Sequence, residues 1–328
     1  MTYGAFRAHP GLWVVCLVLV AVIGFAPSAR ASTRPSGQCV GPDDQSSTPV
    51  VEGAFGDVTR VVFTLVDRAH VTDPDAPDAD AQSCRVLRTT VSMPTGATAP
   101  LPLILAVHGR DGDPKVLEPL VDAWVRAGNI VAAPQFLVTD KDADDKPTPA
   151  AVRRQTADAR FVLDQLLLEN DDPTSRLHGL IDRERIGAAG MSLGGMTVYG
   201  LVSNTCCRDP RISAAVLLAA VRREFDAGRY VTQQVPIMLI QGDADIGYHN
   251  SVTGYTRLDA PKWFITLRGS THSPPFEIPR GPEAPLVDRA TTEFWNRYLG
   301  GRTTAEREIV DAVTASGRAS LQRQLASH

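Results

Sequence analysis

Residues 185–200, "RIGAAGMSLGGMTVYG", decide how the chain is to be interpreted. The stretch passes from a short apolar run through a cluster of glycines into a segment with the composition of a helix. Its centre, residues 190–194, has the pattern Gly-x-Ser-x-Gly around Ser192. Ser192 is therefore either an ordinary helix N-cap or a nucleophile that is held on a sharp turn between a strand and a helix.

The pattern on both sides of this stretch predicts an α/β fold. From residue 101 onward, short and continuously apolar runs alternate with longer amphipathic segments, as expected for a mainly parallel central sheet flanked by helices. The predicted buried strands are LPLILAVHG (101–109), NIVAAPQ (129–135), RIGAAG (185–190), ISAAVLLAA (212–220), VPIMLIQG (235–242) and KWFITLRG (262–269). The predicted helices cover 115–128, 150–170, a segment from Ser192, and 284–301. Two β-branched runs, 58–67 and 85–94, precede them as antiparallel strands.

The first 31 residues have the features of a secretory signal. Arg7 provides a positive start, residues 12–25 are apolar, and small residues at 29 and 31 suit a cleavage site after Ala31. The apolar run is shorter than the roughly 20 residues that span a bilayer, so we expect no permanent membrane anchor and a secreted product. We divide the remainder into a loose arm (32–53), a catalytic domain (54–301) and a C-terminal helical tail (302–328).

Export makes the cysteines informative. Cys39, Cys84, Cys206 and Cys207 remain after removal of the signal, and an even number in an oxidising compartment predicts one or two structural disulfides. Four cysteines allow three connectivities, and the sequence does not choose among them. The net charge of −4 gives no indication of a nucleic-acid partner.

A nucleophilic serine needs a base and an acid that orients the base. In hydrolases with this strand-to-helix turn the chain order is serine, acid, histidine. His272 follows the last predicted buried strand and is the candidate base, with His249 as an alternative. Asp243 and Asp245 follow the preceding strand, and both suit the role of the acid.

Four segments together resemble the serine α/β-hydrolases: PLILAVHGRDGD (102–113), DRERIGAAGMSLGG (182–195), PIMLIQGDADIG (236–247) and GSTHSPPF (269–276). They are most similar to the branch that holds secreted esterases and lipases, platelet-activating-factor acetylhydrolase-like enzymes, dienelactone hydrolases and cutinase-like polyester hydrolases. Dienelactone hydrolases proper use cysteine as the nucleophile, whereas this chain has Ser192. The resemblance implies that Asp245, the last residue of a Gly-x-x-Asp turn, is the acid.

The same resemblance implies an oxyanion hole. His108 and Gly109 resemble the oxyanion loop of the family, which makes the backbone N–H groups of Arg110 and Leu193 the expected donors. His108 is then a positioning residue. The segments after Ser192 leave no room for a large cap domain, so we expect an open cleft lined by Met191, Leu193 and Val221, with Arg110 at its rim.

These observations predict a secreted carboxylic ester hydrolase that acts on short to medium acyl chains through an acyl-enzyme. The expected partners are small-molecule or polymeric esters, and we expect a monomer without a cofactor or a metal. The acidic stretch DKDADD (140–145) lacks the glycine and the final glutamate of an EF-hand loop. Three alternatives stay open at this point: an acyltransferase with the same triad, a secreted peptidase or amidase, and a non-catalytic binding protein on the same fold.

Overall fold

The computed structural model describes most of the chain after residue 48. The described residues are 49–71, 84–137, 139, 149–220, 222, 225, 227–231, 233 and 235–326. The predicted signal segment 1–31, residues 32–48 of the predicted arm, the acidic stretch 140–145 and Val221 lie outside these residues.

The described residues form an α/β fold around one ten-stranded sheet with the order β1-β2-β3-β5-β4-β6-β7-β8-β9-β10. The strands are β1 (Val50–Phe55), β2 (Val58–Val71), β3 (Cys84–Pro94), β4 (Leu101–Val107), β5 (Ile130–Pro134), β6 (Ile181–Met191), β7 (Ile212–Leu218), β8 (Ile237–Gly242), β9 (Lys262–Leu267) and β10 (Ala319–Gln324). The six neighbouring strands from β5 to β9 are parallel. The strands β1, β2, β3 and β10 pair antiparallel at the two sides, so the prediction of a mainly parallel sheet is confirmed.

Helices cover both faces of the sheet, which explains why its central strands are apolar throughout. The α-helices among the described residues are α1 (Glu118–Arg126), α2 (Pro149–Asp171), α3 (Leu193–Ser203), α4 (Tyr248–Thr256), α5 (Ala284–Tyr298) and α6 (Ala305–Ser316). In β4, Leu103 and Leu105 belong to the core beneath α2, α3 and α4. Ile104 and Ala106 belong to the opposite core, beneath α1, α5 and α6. None of the described helices is both long and apolar enough to cross a membrane.

Two boundaries differ from the sequence-based division. The predicted arm ends inside β1, because Val50 and Val51 pair with Val62 and Val61 of β2. The C-terminal tail is not only helical: after α6 it adds β10, which pairs in register along all of β9. Ala319 is buried in the core beneath α5 and α6, although the strand contains no β-branched residue.

The cysteine pairing is partly visible. Cys206 and Cys207 form a disulfide between adjacent residues just beyond the end of α3. Cys84, at the start of β3, is also disulfide-bonded. Cys39 lies outside the described residues.

Candidate active site

Every predicted catalytic segment follows the carboxyl end of a parallel strand. Residue 108 follows β4, Ser192 follows β6, Asp245 follows β8 and His272 follows β9. In an open parallel sheet these ends share one edge, and ligands bind in the crevice outside it. The topology therefore concentrates side chains from four separate parts of the sequence at one edge.

Ser192 occupies a strained turn between β6 and α3. Its φ of 53° and ψ of −114° lie outside the regions that residues other than glycine ordinarily adopt, and such a conformation costs about 1–3 kcal/mol. The turn is held by a hydrogen bond of 2.8 Å from the Ser192 N–H to the Leu218 carbonyl in the neighbouring β7. The side chain of Ser192 makes no capping hydrogen bond to α3, so the N-cap interpretation of its hydroxyl fails.

The two glycines of the pattern are required by close backbone approach. A Cβ at Gly190 would lie 2.2 Å from the carbonyl oxygen of Gly194, and a Cβ at Gly194 would lie 2.2 Å from the carbonyl oxygen of Val107. Backbone atoms cannot give way as a flexible side chain does. A larger residue at Gly194 would push the turn away from β4, and one at Gly190 would push the start of α3 away from the end of β6, so both glycines are needed to seat Ser192 at the edge of the sheet.

Ser192, His272 and Asp245 form one hydrogen-bonded chain. The Ser192 Oγ lies 2.8 Å from His272 Nε2. His272 Nδ1 lies 2.6 Å from Asp245 Oδ2. Because an ionised carboxylate only accepts, Nδ1 carries the proton and Nε2 is left to accept the serine hydroxyl. The Asp245 side chain is fully buried, whereas 43% of the His272 side chain is exposed.

The structure distinguishes between the candidates that the sequence left open. Asp243 is exposed, and its Oδ1 accepts the Gly269 N–H at 2.6 Å, away from the imidazole. His249 lies exposed in α4, where its ring packs 5.9 Å from that of Tyr248. Neither residue belongs to the chain of hydrogen bonds at Ser192.

Close packing joins the loop that carries the acid to the loop that carries the base. The Ala244 N–H donates to the Ser270 carbonyl at 3.1 Å. A Cβ at Gly242 would lie 2.1 Å from that same carbonyl oxygen, so the loops touch along their backbones. This contact sets the separation between Asp245 and His272.

The predicted oxyanion hole includes the loop after β4. Gly109 lies against the turn, since a Cβ there would come within 3.3 Å of the Ser192 Cβ. Leu193 is the first residue of α3, so its N–H has no acceptor within the helix. The Arg110 side chain is half-exposed and pairs with Asp111 at 3.1 Å, consistent with a rim position. The direction of the Arg110 N–H stays a prediction.

His108 is fully buried and braces this loop. Its Nε2 accepts the Phe136 N–H at 3.0 Å, and its Nδ1 therefore carries a proton for the Gly109 carbonyl at 2.7 Å. These bonds connect the loop after β4 to the loop after β5. Both ring nitrogens are used, which agrees with a positioning role and leaves no nitrogen for a catalytic base.

The predicted lining of the cleft needs a correction. Met191 is only 1% exposed, and it packs in the core beneath α1 and α5. As the last residue of β6 it shares the face of Ala189, so the strand alternation directs it inward. Leu193 is partly exposed at the start of α3. Val221 lies outside the described residues.

Comparison with known proteins adds no family assignment. No protein-family model matches the chain, and the curated proteins contain no match to it. The described residues contain no group of three or more histidine, cysteine, aspartate or glutamate side chains suited to hold a metal ion.

One residue in contact with the triad was missed by the sequence analysis. Gln241 is 1% exposed in β8, and its Nε2 lies 2.5 Å from Asp245 Oδ2. The signal in the sequence is an amide at the end of the apolar run VPIMLI, where a buried polar group requires a partner. Identifying that partner required the structure.

Proposed function

We propose that the protein is a secreted serine hydrolase of the α/β-hydrolase type that cleaves carboxylic esters. The observation that carries this proposal is the chain from Ser192 through His272 to Asp245, with contacts of 2.8 and 2.6 Å. It supports a base-activated nucleophile because the imidazole is oriented by a buried carboxylate and meets a hydroxyl held on a strained turn.

The reaction follows from the position of each proton. Ser192 Oγ attacks the acyl carbon while His272 Nε2 accepts the hydroxyl proton, and the resulting imidazolium is stabilised by Asp245. Collapse of the tetrahedral intermediate breaks the ester C–O bond, and His272 delivers its proton to the leaving alcohol. Water then attacks the acyl-enzyme by the same route, which releases the acid and restores Ser192.

Backbone donors would stabilise the negative charge that develops on the ester oxygen. The Leu193 N–H at the first position of α3 is the main candidate, since the N-terminus of a helix carries partial positive charge. The Arg110 N–H is the second proposed donor. Loss of a single such donor typically costs about 10²–10³ in turnover.

The exposure of the site favours an open cleft. Part of the His272 imidazole and half of the Arg110 side chain are accessible to solvent. An open cleft buries little of a long acyl chain, and each methylene that stays in water forgoes about 0.8 kcal/mol. The proposed substrates are therefore esters of short to medium acyl chains. The Cys206–Cys207 disulfide supports an oxidising, extracytoplasmic location.

A panel of nitrophenyl esters of increasing chain length, beside a matched anilide, tests the proposal. We expect kcat/KM to peak at short to medium esters and to exceed that for the anilide. Ser192→Ala should lower kcat by about 10⁶-fold, as loss of the nucleophile does in a comparable triad. Retention of the wild-type rate by folded Ser192→Ala protein, or hydrolysis of the anilide alone, would contradict the proposal.

A further inference from the structure

Gln241 is a polar residue where the pattern of the strand calls for an apolar one. It lies in β8 on the same face as Leu239, which belongs to the core beneath α2, α3 and α4. A buried amide costs free energy unless both its donor and its acceptor have partners. Leucine or methionine would fill the space without that requirement, so the partners of Gln241 indicate why an amide stands there.

Both ends of the amide are used. Nε2 donates to Asp245 Oδ2 at 2.5 Å, and Oε1 lies 2.9 Å from the Ser251 hydroxyl of α4, whose single proton it shares with a backbone carbonyl. Ser251 is itself buried, and its Oγ also lies 2.6 Å from the Ala220 carbonyl. The orientation of the amide is fixed, because turning it over would bring Oε1 against a carboxylate oxygen.

The carboxylate of Asp245 thus receives three hydrogen bonds. Oδ2 accepts from both His272 Nδ1 and Gln241 Nε2, and Oδ1 accepts from the Gly247 N–H at 2.8 Å. The two donors on Oδ2 divide its negative charge. Without Gln241, the Asp245 carboxylate could rotate more freely. Its Oδ2 would then interact with the imidazole of His272 alone, and the negative charge available to the imidazole would be larger.

We propose that Gln241 is a positioning residue of the triad, which fixes the rotamer of Asp245 and limits how strongly the carboxylate stabilises the imidazolium of His272. The catalytic consequence rests on the proposed function, whereas the effect on the titration of His272 does not. Gln241 does not touch the reacting atoms and acts only through Asp245.

Other titratable groups on the adjoining elements are engaged elsewhere. Asp243 accepts from Gly269, Tyr248 contacts the Thr266 hydroxyl, and Arg280 pairs with Asp288. Within the described part of the chain, neither His249 of α4 nor Glu277 of the His272 loop contacts the imidazole or Asp245. Among the described residues, Asp245 is thus the carboxylate that contacts His272, and Gln241 is a side chain that contacts this carboxylate.

The test is Gln241→Met in the full-length protein, because methionine keeps the length of the side chain and lacks the donor. We expect the pKa of His272, followed by NMR of labelled histidine, to rise by about half a pH unit or more. The acid limb of kcat/KM for a nitrophenyl ester should move to higher pH by the same amount. At neutral pH kcat should fall about 10- to 100-fold, as for loss of a hydrogen bond to a charged group, with KM little changed.

Gln233→Met is the matched control. Gln233 is also a buried amide, but its Nε2 donates to the Asp259 carbonyl at 2.7 Å and does not contact the triad. This variant should leave the titration of His272 unchanged. If Gln241→Met does not fold, Ser251→Ala replaces it: this variant keeps Gln241, releases its Oε1, and should shift the pKa of His272 upward by less.

An unchanged pKa of His272 in the folded variant would overturn the proposal, whatever happens to activity. A shift of equal size in Gln233→Met would overturn it too, because the effect would then be general. A raised pKa together with absence of ester hydrolysis in the wild type would support the positioning role and contradict the proposed function.

Discussion

Two aspartates in this fold are almost equally buried and have opposite surroundings. Asp245, at the carboxyl edge of the sheet, accepts three hydrogen bonds from uncharged donors. Asp158, in α2, lies 2.7 Å from Arg85 Nε of β3. Within the described part of the chain, Asp158 Oδ2 and Arg85 Nη2 have no hydrogen-bond partner. Burial raises the pKa of Asp158 to about 6, although Arg85 acts in the opposite direction.

The difference shows that compensating a buried carboxylate electrostatically and positioning it toward a neighbouring imidazole are separate properties. At Asp158 one counterion compensates for burial only in part, and the site ties α2 to β3 without facing a reacting group. At Asp245 several directional donors fix the carboxylate and leave it aimed at His272. We therefore expect changes at Asp245 to affect catalysis and changes at the Arg85–Asp158 pair to affect stability.

Asp245→Asn should give the largest effect. An amide has one acceptor oxygen in place of two, and it favours the wrong tautomer of His272, so kcat should fall by about 10⁴-fold. Steady-state kinetics on a nitrophenyl ester measures this. Asp243→Asn is the control and should be mild. The reverse ranking would transfer the role of the acid to Asp243.

Arg85→Met should affect stability instead. It leaves the buried Asp158 without its counterion, which costs about 3–5 kcal/mol in the free energy of unfolding. Denaturant unfolding measures this loss, while kcat of the folded fraction should stay near the wild-type value. Arg85→Met combined with Asp158→Leu should recover much of the stability. A large fall in kcat without destabilisation would contradict the separation of the two sites.

Asp158→Asn should give the smallest effect, seen in the pH dependence of stability. Between the ordinary pKa of 3.8 and about 6, the folded protein holds a proton on Asp158 that the unfolded chain has released. The free energy of unfolding therefore falls as pH rises through this window, by about 3 kcal/mol in all. Asp158→Asn should abolish that fall relative to wild type. The exposed Asp164→Asn serves as control, and parallel pH profiles of wild type and Asp158→Asn would contradict the raised pKa.

Much of the sheet was predictable because the hydrophobic period and the apolar character of a segment can be recognised from its local sequence. The six parallel strands were found from continuous apolar runs, and the turn at Ser192 was found from two glycines that the backbone requires. The strand β10 was missed because its sequence is largely polar, like that of the preceding helix. Only its pairing with β9 identifies it as a strand. The burial of Met191 was missed because the direction of a side chain at the end of a strand depends on the exact register.

The site was predictable in its residue types and less so in its contacts. Ser192 and His272 follow from the order of elements, and the resemblance favoured Asp245 over Asp243. Spacing alone could not separate these two aspartates, because they differ only in which way a tight turn directs each carboxylate. The contact between Gln241 and Asp245 could not be predicted for the same reason, because it depends on how the turn after β8 folds back onto the strand.

Covalent labelling with a fluorophosphonate is the most direct test of the central claim that Ser192 is an activated nucleophile. We expect one adduct per chain, mapped by peptide mass spectrometry to Ser192, with no adduct in Ser192→Ala and slow labelling in Asp245→Asn. Full labelling of Ser192→Ala, or an adduct at another residue in the wild type, would contradict it.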